Sequence, residues 1–386
     1  MSRSVHGIVL AGVHRWGESL FERLLPRPLL PVADSPLICY GLRWLRDADV
    51  RAVTICANSD SRLVHDCLGD GTALGLDLYY YEDLMPRGPA GSVRDAGLAW
   101  GAHDFVVIEG SVVPTGELGE LLAAHRSQDA AITIAVEAAA DSGPAAAALR
   151  PAGMYVFGRR ALEAVPATGY QDIKEVLIPR LHGCGERVLA YPIESPCPRV
   201  LGVETYLAAN RWMITRLVNG PELLPRYWRV NGARVHASAR VASPVRMIGP
   251  VLIGPESRIA SGVTLVGPTV VGQGCVVGEG AVVSRSVVWD YCRIGRHAVV
   301  DQCILAHGAA VEAEARTSTV LHVPKAVARP AGMTAGGGLR QSVRADGDRR
   351  AAGPPGGHHR PLDIPSSDRS LTGGHSKPVF DQVGHA

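Results

Sequence analysis

A six-residue period of apolar residues is the feature of this sequence that most restricts its fold. Steps of six residues give nine apolar positions without a break: Val235, Val241, Met247, Ile253, Ile259, Leu265, Val271, Val277 and Val283. The period then slips by one residue and resumes at Val288, Ile294 and Val300. Strands of a β-sandwich alternate with period two and are unevenly spaced, so the pattern argues against a sandwich.

A triangular coil explains this period, because one of its three sides takes about six residues and directs one apolar side chain inward. A single turn cannot bury its own core, so successive turns must stack. Glycine follows several inward positions, as at Gly254 and Gly272, and permits the tight corners. We therefore predict a left-handed parallel β-helix of hexapeptide repeats over about residues 235–300, with roughly four turns.

The residues before the repeats predict a second kind of domain. Short apolar runs rich in strand-forming residues alternate with helical patterns, for example at residues 37–46 and 117–126. The runs are residues 7–10, 52–56, 76–81, 105–108, 132–136, 154–157 and 188–191. Such alternation predicts a largely parallel sheet with helices on both faces. Sheets of this class bind ligands at the carboxyl ends of their strands.

Several motifs in this first domain resemble those of one enzyme family. The stretch Ile8-Val9-Leu10-Ala11-Gly12 and the later Pro26-Arg27-Pro28-Leu29-Leu30-Pro31-Val32 resemble the pattern L-A-G-G-x-G-T-R…P-K-P-L-L-P-V of sugar-phosphate nucleotidyltransferases. This family of NDP-sugar pyrophosphorylases includes the mannose-1-phosphate guanylyltransferases. Further resemblances follow in the family order: G-D-G-T from Gly69, P-R-G-P-A-G-S from Pro86, A-G-M-Y-V-F from Ala152, D-I-K-E from Asp172 and Y-L-A-A-N from Tyr206. Several members carry a C-terminal left-handed β-helix, so the resemblance spans about residues 5–320.

The resemblance implies a Rossmann-like nucleotidyltransferase domain that forms an NDP-sugar and pyrophosphate from an NTP and a sugar 1-phosphate. It implies Mg²⁺ as the cofactor of an active enzyme. Arg27 replaces the signature lysine and would be the catalytic cation that neutralises phosphate. The implied nucleotide-binding residues are Ala11, Gly12, Arg15, Gly88, Pro89, Ala90 and Gly91, and the implied sugar-binding residues are Gly153 and Lys174.

The sequence departs from the family where the chemistry is most demanding. The glycine-rich cradle for phosphate falls on Val13-His14-Arg15-Trp16-Gly17, which keeps its length but not its glycines. The two metal-binding aspartates fall on Ser111 and Val200, and neither residue can replace a carboxylate as a Mg²⁺ ligand. Only fourteen residues separate Val136 from Pro151, so the family's E-K-P segment has no counterpart. No metal ligand is therefore predicted.

Two interpretations of these departures stay open. In one, the chain keeps the fold, has lost the reaction, and acts as a nucleotide-binding or NDP-sugar-binding protein or as a regulatory paralogue. In the other, it is an active enzyme in which Glu109, Asp34 or Asp104 helps to hold the metal. The combined loss of carboxylates, lysine and sugar segment favours the first.

The β-helix suggests two further functions. An acyltransferase would use an exposed histidine at a coil corner as its base, with His236, His297 and His307 as candidates. Alternatively, the coil is an interaction module that forms a homo-oligomer or pairs with a paralogous nucleotidyltransferase.

Composition limits the remaining possibilities. The net charge of +2 does not indicate a nucleic-acid partner, and no apolar run approaches the ~20 residues of a membrane span. Eight scattered cysteines predict free thiols and a cytoplasmic protein.

A helix at residues 204–218 should bridge the domains, and a Gly- and Pro-rich tail should be disordered. The predicted domains are residues 1–220, 221–325 and 326–386.

Overall fold

The computed structural model describes residues 4–12, 20–57, 62–83, 87–138, 149–220, 226–318 and 321–324. The predicted disordered tail therefore lies outside the described residues. The first domain has nine strands: β1 Val5–Leu10, β2 Pro31–Val32, β3 Ser35–Pro36, β4 Ala52–Ala57, β5 Asp77–Glu82, β6 Asp104–Glu109, β7 Ile132–Ala138, β8 Leu149–Gly158 and β9 Val188–Pro192. Its helices are α1 Leu37–Asp47, α2 Arg62–Leu68, α3 Gly88–Leu98, α4 Leu118–Ser127, α5 Arg159–Glu163, α6 Ile178–Gly183 and α7 Val203–Asn219. Single helical turns occur at Phe21–Arg23, Arg27–Leu29, Thr72–Leu74 and Ile173–Leu177.

Seven of these strands form one sheet in the order β5-β4-β1-β6-β8-β7-β9. All neighbours are parallel except those of β8, which runs antiparallel to β6 and β7. Side chains alternate between two buried layers, because successive strand residues point to opposite faces. Ile8 and Val107 pack with the layer that contains α3 and α5, whereas Val9 and Val106 pack with α1 and α4. The predicted α/β sheet with helices on both faces is confirmed, as are all seven predicted strands.

The second domain consists of short strands: β10 Tyr227–Val230, β11 Ala233–His236, β12 Arg240–Val241, β13 Arg246–Ile248, β14 Val251–Ile253, β15 Arg258–Ile259, β16 Thr264–Val266, β17 Thr269–Val271, β18 Val276–Val277, β19 Val282–Ser284, β20 Val287–Val288, β21 Arg293–Ile294, β22 Val299–Asp301, β23 Ile304–Leu305, β24 Ala310–Val311, β25 Arg316–Ser318 and β26 Leu321–His322. From β11 onward, every third strand belongs to the same sheet and pairs in parallel. The three sheets form the sides of a parallel β-helix, which confirms the predicted architecture.

The predicted inward residues form the core of this coil. Ten of the twelve are buried, and the other two, Val241 and Met247 in the first turn, are partly buried against the same core. Along its described residues the coil has five turns rather than about four, since β23, β24 and β25 add a turn beyond residue 300 and β26 begins another. The additional turn escaped the six-residue count because the period slips a second time, between Val300 and Leu305.

The slip in the period is a shortening of one side of the coil. Equivalent residues in the first turns lie 18 apart, as in Leu265 paired with Met247, whereas Val300 pairs with Val283 at a separation of 17. The shortened corner contains Arg285, whose φ of 47° is in the left-handed region. Glu256, Tyr291 and His297 adopt the same conformation at corners of six-residue sides, so this conformation occurs at corners of both lengths.

Helix α7 joins the two domains, as predicted. Its buried residues include Tyr206, Met213, Ile214 and Leu217, which share one apolar cluster with Trp289 of the coil. The Trp289 indole N–H donates to the Tyr206 hydroxyl at 2.8 Å. That hydroxyl in turn donates to the carbonyl of Pro31 at 2.6 Å. A packed and hydrogen-bonded contact therefore fixes the coil against the first domain.

Glycines at the corners of the coil allow its turns to stack closely. A Cβ atom on Gly295 would lie 2.4 Å from the backbone nitrogen of Ala313. We expect Gly295→Ala to lower the free energy of unfolding by about 1–3 kcal/mol, because backbone must shift to admit the methyl group. Urea unfolding measures this, with Gly119→Ala in α4 as the control. A methyl group at Gly119 meets open space and should be neutral or stabilising. Equal unfolding midpoints for Gly295→Ala and the parent would contradict the prediction.

A buried histidine in the first sheet should make stability depend on pH. His6 is 2% exposed, stacks on Trp100 with ring centroids 4.0 Å apart, and lies 2.8 Å from the Thr54 hydroxyl. Burial lowers its pKa from 6.5 to about 4. The folded state therefore favours the neutral ring, so its contribution is present above pH 6.5 and is lost as the pH falls towards 4.

We expect the stability difference between the parent chain and His6→Phe to shrink by about 2 kcal/mol from pH 7 to pH 5. Urea unfolding at the two pH values measures it. Comparing the variants at each pH removes the contribution of carboxylates that both chains share. A difference independent of pH would contradict the assignment of a lowered pKa.

Candidate functional site

A cavity of about 440 Å³ lies at the carboxyl ends of the parallel strands. Leu10, Cys56 and Glu109, at or near the ends of β1, β4 and β6, contribute to its walls. Residues from α3 and from the helical turn Ile173–Leu177 complete it. Ligands of α/β sheets bind at this edge, and we call this space the strand-end cavity.

The structure places about half of the predicted site residues on the cavity wall. These are Gly12, Arg27, Gly88, Pro89 and Lys174. Ala11, Ala90 and Gly91 are instead buried behind the wall. Gly153 lies behind it too, against the side chains of Arg199 and Glu109, and Arg15 is outside the described residues.

The glycine at the start of α3 is required by packing. Gly88 has a φ of +76°, and a Cβ atom there would lie 2.5 Å from the carbonyl oxygen of Gln171. That carbonyl accepts the backbone N–H of Ala90 at 3.0 Å. The Asp83 carboxylate accepts the backbone N–H of Arg87 at 3.2 Å and the Ser92 hydroxyl at 2.9 Å. The beginning of α3 thus already has an acidic partner.

Glu109 is the acidic residue at the end of β6, and its two oxygens are already engaged. One accepts the Tyr155 hydroxyl at 3.0 Å, and the other lies 3.2 Å from a guanidinium nitrogen of Arg199. Burial raises the pKa of Tyr155, and the negative charge of Glu109 raises it further. The tyrosine therefore remains a hydrogen-bond donor. A Cβ atom on Gly153 would lie 2.6 Å from Arg199, so the glycine leaves room for this ion pair.

Ser111 and Val200, which align with the family's metal aspartates, are neighbours in space. The backbone N–H of Val200 donates to the carbonyl of Ser111 at 2.9 Å. Ser111 lines the cavity, but Val200 is fully buried in the apolar cluster around α7. Of the two side chains, only the Ser111 hydroxyl reaches the cavity, and neither position supplies a carboxylate.

The residues of the cavity do not fit Mg²⁺, which requires hard oxygen ligands with free carboxylates. Glu109 is engaged by a cation and a hydroxyl, and Asp83 and Asp172 accept backbone N–H groups. Within the described ranges, no group of three or more His, Cys, Asp and Glu residues could hold a metal ion. Asp104 lies at the other end of β6 in an ion pair with Arg126, and Asp34 faces a different cavity.

Comparisons with known proteins identify the family. The nucleotidyl transferase family model matches residues 21–146, and the GMPPB C-terminal domain model matches residues 247–328. A mannose-1-phosphate guanylyltransferase of Mycobacterium tuberculosis is 24% identical over 305 residues, which are 72% of this chain and 77% of the relative. The chain belongs to the sugar-phosphate nucleotidyltransferase family.

Other members of this nucleotidyltransferase family match over a similar share of the chain. A UTP–glucose-1-phosphate uridylyltransferase of Synechocystis is 25% identical over 352 residues, 75% of this chain and 86% of the relative. A probable mannose-1-phosphate guanylyltransferase 2 of Oryza sativa is 24% identical over 313 residues, 72% of this chain and 80% of the relative. The predicted family is confirmed.

Several residues of the strand-end cavity were not singled out in the sequence. Asp83, Tyr155, Tyr170 and Asp172 line the cavity, and Arg199 pairs with Glu109. Tyr155 and Asp172 lie inside motifs that were recognised. Arg199 precedes the position of the second metal aspartate, and a cation beside a lost carboxylate is a signal that could have been used.

The three β-helix histidines do not converge. His236 lies 2.8 Å from the Ser238 hydroxyl, and His307 contacts the ring of Tyr291. His297 occupies a corner of another turn with a φ of 55°.

Along the described part of the chain, no helix is both long enough and apolar enough to cross a membrane.

Proposed function

We propose that this nucleotidyltransferase-family chain binds a nucleotide or an NDP-sugar in the strand-end cavity but does not catalyse nucleotidyl transfer. One observation carries the proposal: the Glu109 carboxylate is engaged by Arg199 and Tyr155, while positions 111 and 200 carry no carboxylate. Without free carboxylates, the crowded phosphate oxygens of the transfer reaction lack the Mg²⁺ that neutralises them.

Binding of phosphates can persist without that ion. Arg27 and Lys174 bring two positive charges to the cavity, where they can form charge-assisted hydrogen bonds with a diphosphate. The cavity volume of about 440 Å³ is typical of small-molecule sites. Matched relatives are named for guanylyl and uridylyl transfer to mannose and glucose 1-phosphates, so we leave the base and the sugar open. The proposed role is cytoplasmic regulation of sugar-nucleotide supply for polysaccharide synthesis.

Calorimetry of the full chain with a panel of NTPs and NDP-sugars, with and without Mg²⁺, tests the proposal. We expect saturable binding of at least one NDP-sugar, little dependence on Mg²⁺, and no release of pyrophosphate when NTP and sugar 1-phosphate are both present. Mg²⁺-dependent NTP binding followed by turnover would establish the active enzyme instead. Absence of binding across the panel would refute the proposed ligand.

The second candidate function is an active enzyme in which Glu109 holds the metal, and it makes the opposite prediction for one variant. If Glu109 only pairs with Arg199, Glu109→Gln removes a negative charge from the cavity wall and strengthens NDP-sugar binding by about tenfold. If Glu109 is a metal ligand, the same variant abolishes Mg²⁺-dependent turnover. Glu117→Gln, an exposed change at the start of α4, is the matched control and should alter neither quantity.

We also propose that the β-helix serves as an assembly surface, for a second copy of the chain or for a paralogous nucleotidyltransferase. Two sides of the coil, those containing β15 and β16, are not covered by the first domain's apolar cluster, which contacts the side of β14 and β17. Light scattering over a wide concentration range tests self-assembly. A protein that remains monomeric throughout would count against the homo-oligomer and leave only the paralogous partner, for which co-purification is the test.

A further inference from the structure

A second cavity lies between the two domains and has no role in the proposed function. Its volume is about 690 Å³, and it is bounded by the hairpin of β2 and β3 on one side and by the coil on the other. Leu24, Leu25, Leu252, Val270 and Trp289 give it largely apolar walls. We call it the interdomain cavity.

Two carboxylates face this cavity from opposite domains. Asp34 lies at the tip of the hairpin, and Asp290 follows β20 in the coil. Asp34 accepts the Ser35 hydroxyl at 3.1 Å, and Asp290 accepts the backbone N–H of Gln273 at 2.7 Å. Neither forms an ion pair with any Arg or Lys that the structure describes. Tyr227 also lines the cavity, and its pKa is raised by burial and then by the two negative charges.

The described chain ends on the wall of this cavity. Leu321 and Val323 pack against the interdomain apolar cluster, and Pro324 lines the cavity itself. The next five residues are Lys325-Ala326-Val327-Ala328-Arg329, two cations that flank three small apolar residues. Because only one peptide bond separates Pro324 from Lys325, the local concentration of this segment at the cavity is high.

We propose that residues 325–329 dock in the interdomain cavity of their own chain, with Lys325 and Arg329 paired to Asp34 and Asp290. The two cations of the segment are opposite in sign to the two carboxylates, although Arg23 also lines the cavity, and Val327 matches the apolar walls. With three residues between its cations, an extended segment places Lys325 and Arg329 roughly 13 Å apart. The docked segment would connect hairpin and coil.

Photo-cross-linking of the full chain tests the docking. Benzoylphenylalanine is placed at position 327 (Val327→benzoylphenylalanine), and cross-linked peptides are located by mass spectrometry. We expect cross-links to residues 23–36 or 289–307 within one chain, and at least tenfold fewer from the same label at Val379 near the end of the tail. Mixing isotopically labelled and unlabelled protein distinguishes the two origins of a link. Links between chains would assign the cavity to a second copy, and links elsewhere would reject the cavity; both outcomes overturn the proposal.

Hydrogen exchange of the unlabelled chain provides a measurement free of the bulky label. We expect amides of residues 326–329 to exchange at least tenfold more slowly than those of residues 343–352, and to lose that protection in Asp34→Asn/Asp290→Asn. Lys325→Gln/Arg329→Gln should have the same effect. Intrinsic exchange rates in the parent, or protection unchanged in both double variants, would refute the docked segment.

Discussion

Replacing both Arg27 and Lys174 by methionine is expected to weaken NDP-sugar binding by about 100-fold or more. Each cation lines the strand-end cavity and can donate charge-assisted hydrogen bonds to a diphosphate. Such bonds contribute about 1.5–3 kcal/mol each, and methionine retains most of the apolar volume while removing the charge. Titration calorimetry of the double variant against the parent chain gives the ratio of dissociation constants directly.

A control variant that removes the same number of positive charges elsewhere distinguishes local contacts with the ligand from the overall electrostatic attraction of the protein. Arg211→Met/Arg240→Met removes two exposed cations, one on α7 and one on the coil, away from the strand-end cavity. We expect its affinity to remain within about twofold of the parent. If both double variants lost the same affinity, binding would depend on overall charge and the cavity assignment would fail.

Truncation of Trp289 to alanine is expected to lower the free energy of unfolding by about 3–5 kcal/mol. The indole is 5% exposed, packs in the cluster that joins the domains, and donates to Tyr206. Its removal leaves a cavity and takes away one partner of the buried Tyr206 hydroxyl. Urea unfolding followed by circular dichroism measures the change. A separate early transition of one domain would show that this contact also couples the domains.

Trp228→Ala is the matched control for this change. Trp228 lies on β10, is 40% exposed, and loses the same side-chain atoms on truncation. Because two-fifths of its surface already contacts water, against 5% for Trp289, its truncation should cost roughly half as much. Equal losses for the two variants would mean that the interdomain cluster contributes less than its burial indicates.

The architecture was predictable from the sequence because both domains rely on periodic burial. The coil was predictable because each side contributes one inward apolar residue at a regular spacing. Leu265, Val271 and Val283 are three of these residues, and all are fully buried. The fifth turn was harder to see, since it begins after the second slip and ends with the less apolar Thr317. The parallel strands were visible as short apolar runs for a similar reason.

The arrangement of the strand-end cavity was only partly predictable, because motif spacing does not give side-chain direction. Gly12, Arg27, Gly88, Pro89 and Lys174 reach the wall, yet Ala90 and Gly91 of the same motif turn away inside α3. The pairing of Glu109 with Arg199 joins residues ninety positions apart. This contact forms because the end of β6 and the segment before α7 lie side by side in the fold. A local sequence pattern cannot predict that proximity.

The burial of Val200 has an evolutionary consequence. Position 200 is fully enclosed by the cluster that holds the coil against the first domain. An aspartate introduced there alone would place a charge in an apolar interior, at a cost that exceeds an ordinary surface substitution several times over. Paired carboxylates at positions 111 and 200 are therefore compatible with this fold only if the interdomain contact changes at the same time. Selection acting on single substitutions at position 200 would meet a stability barrier first.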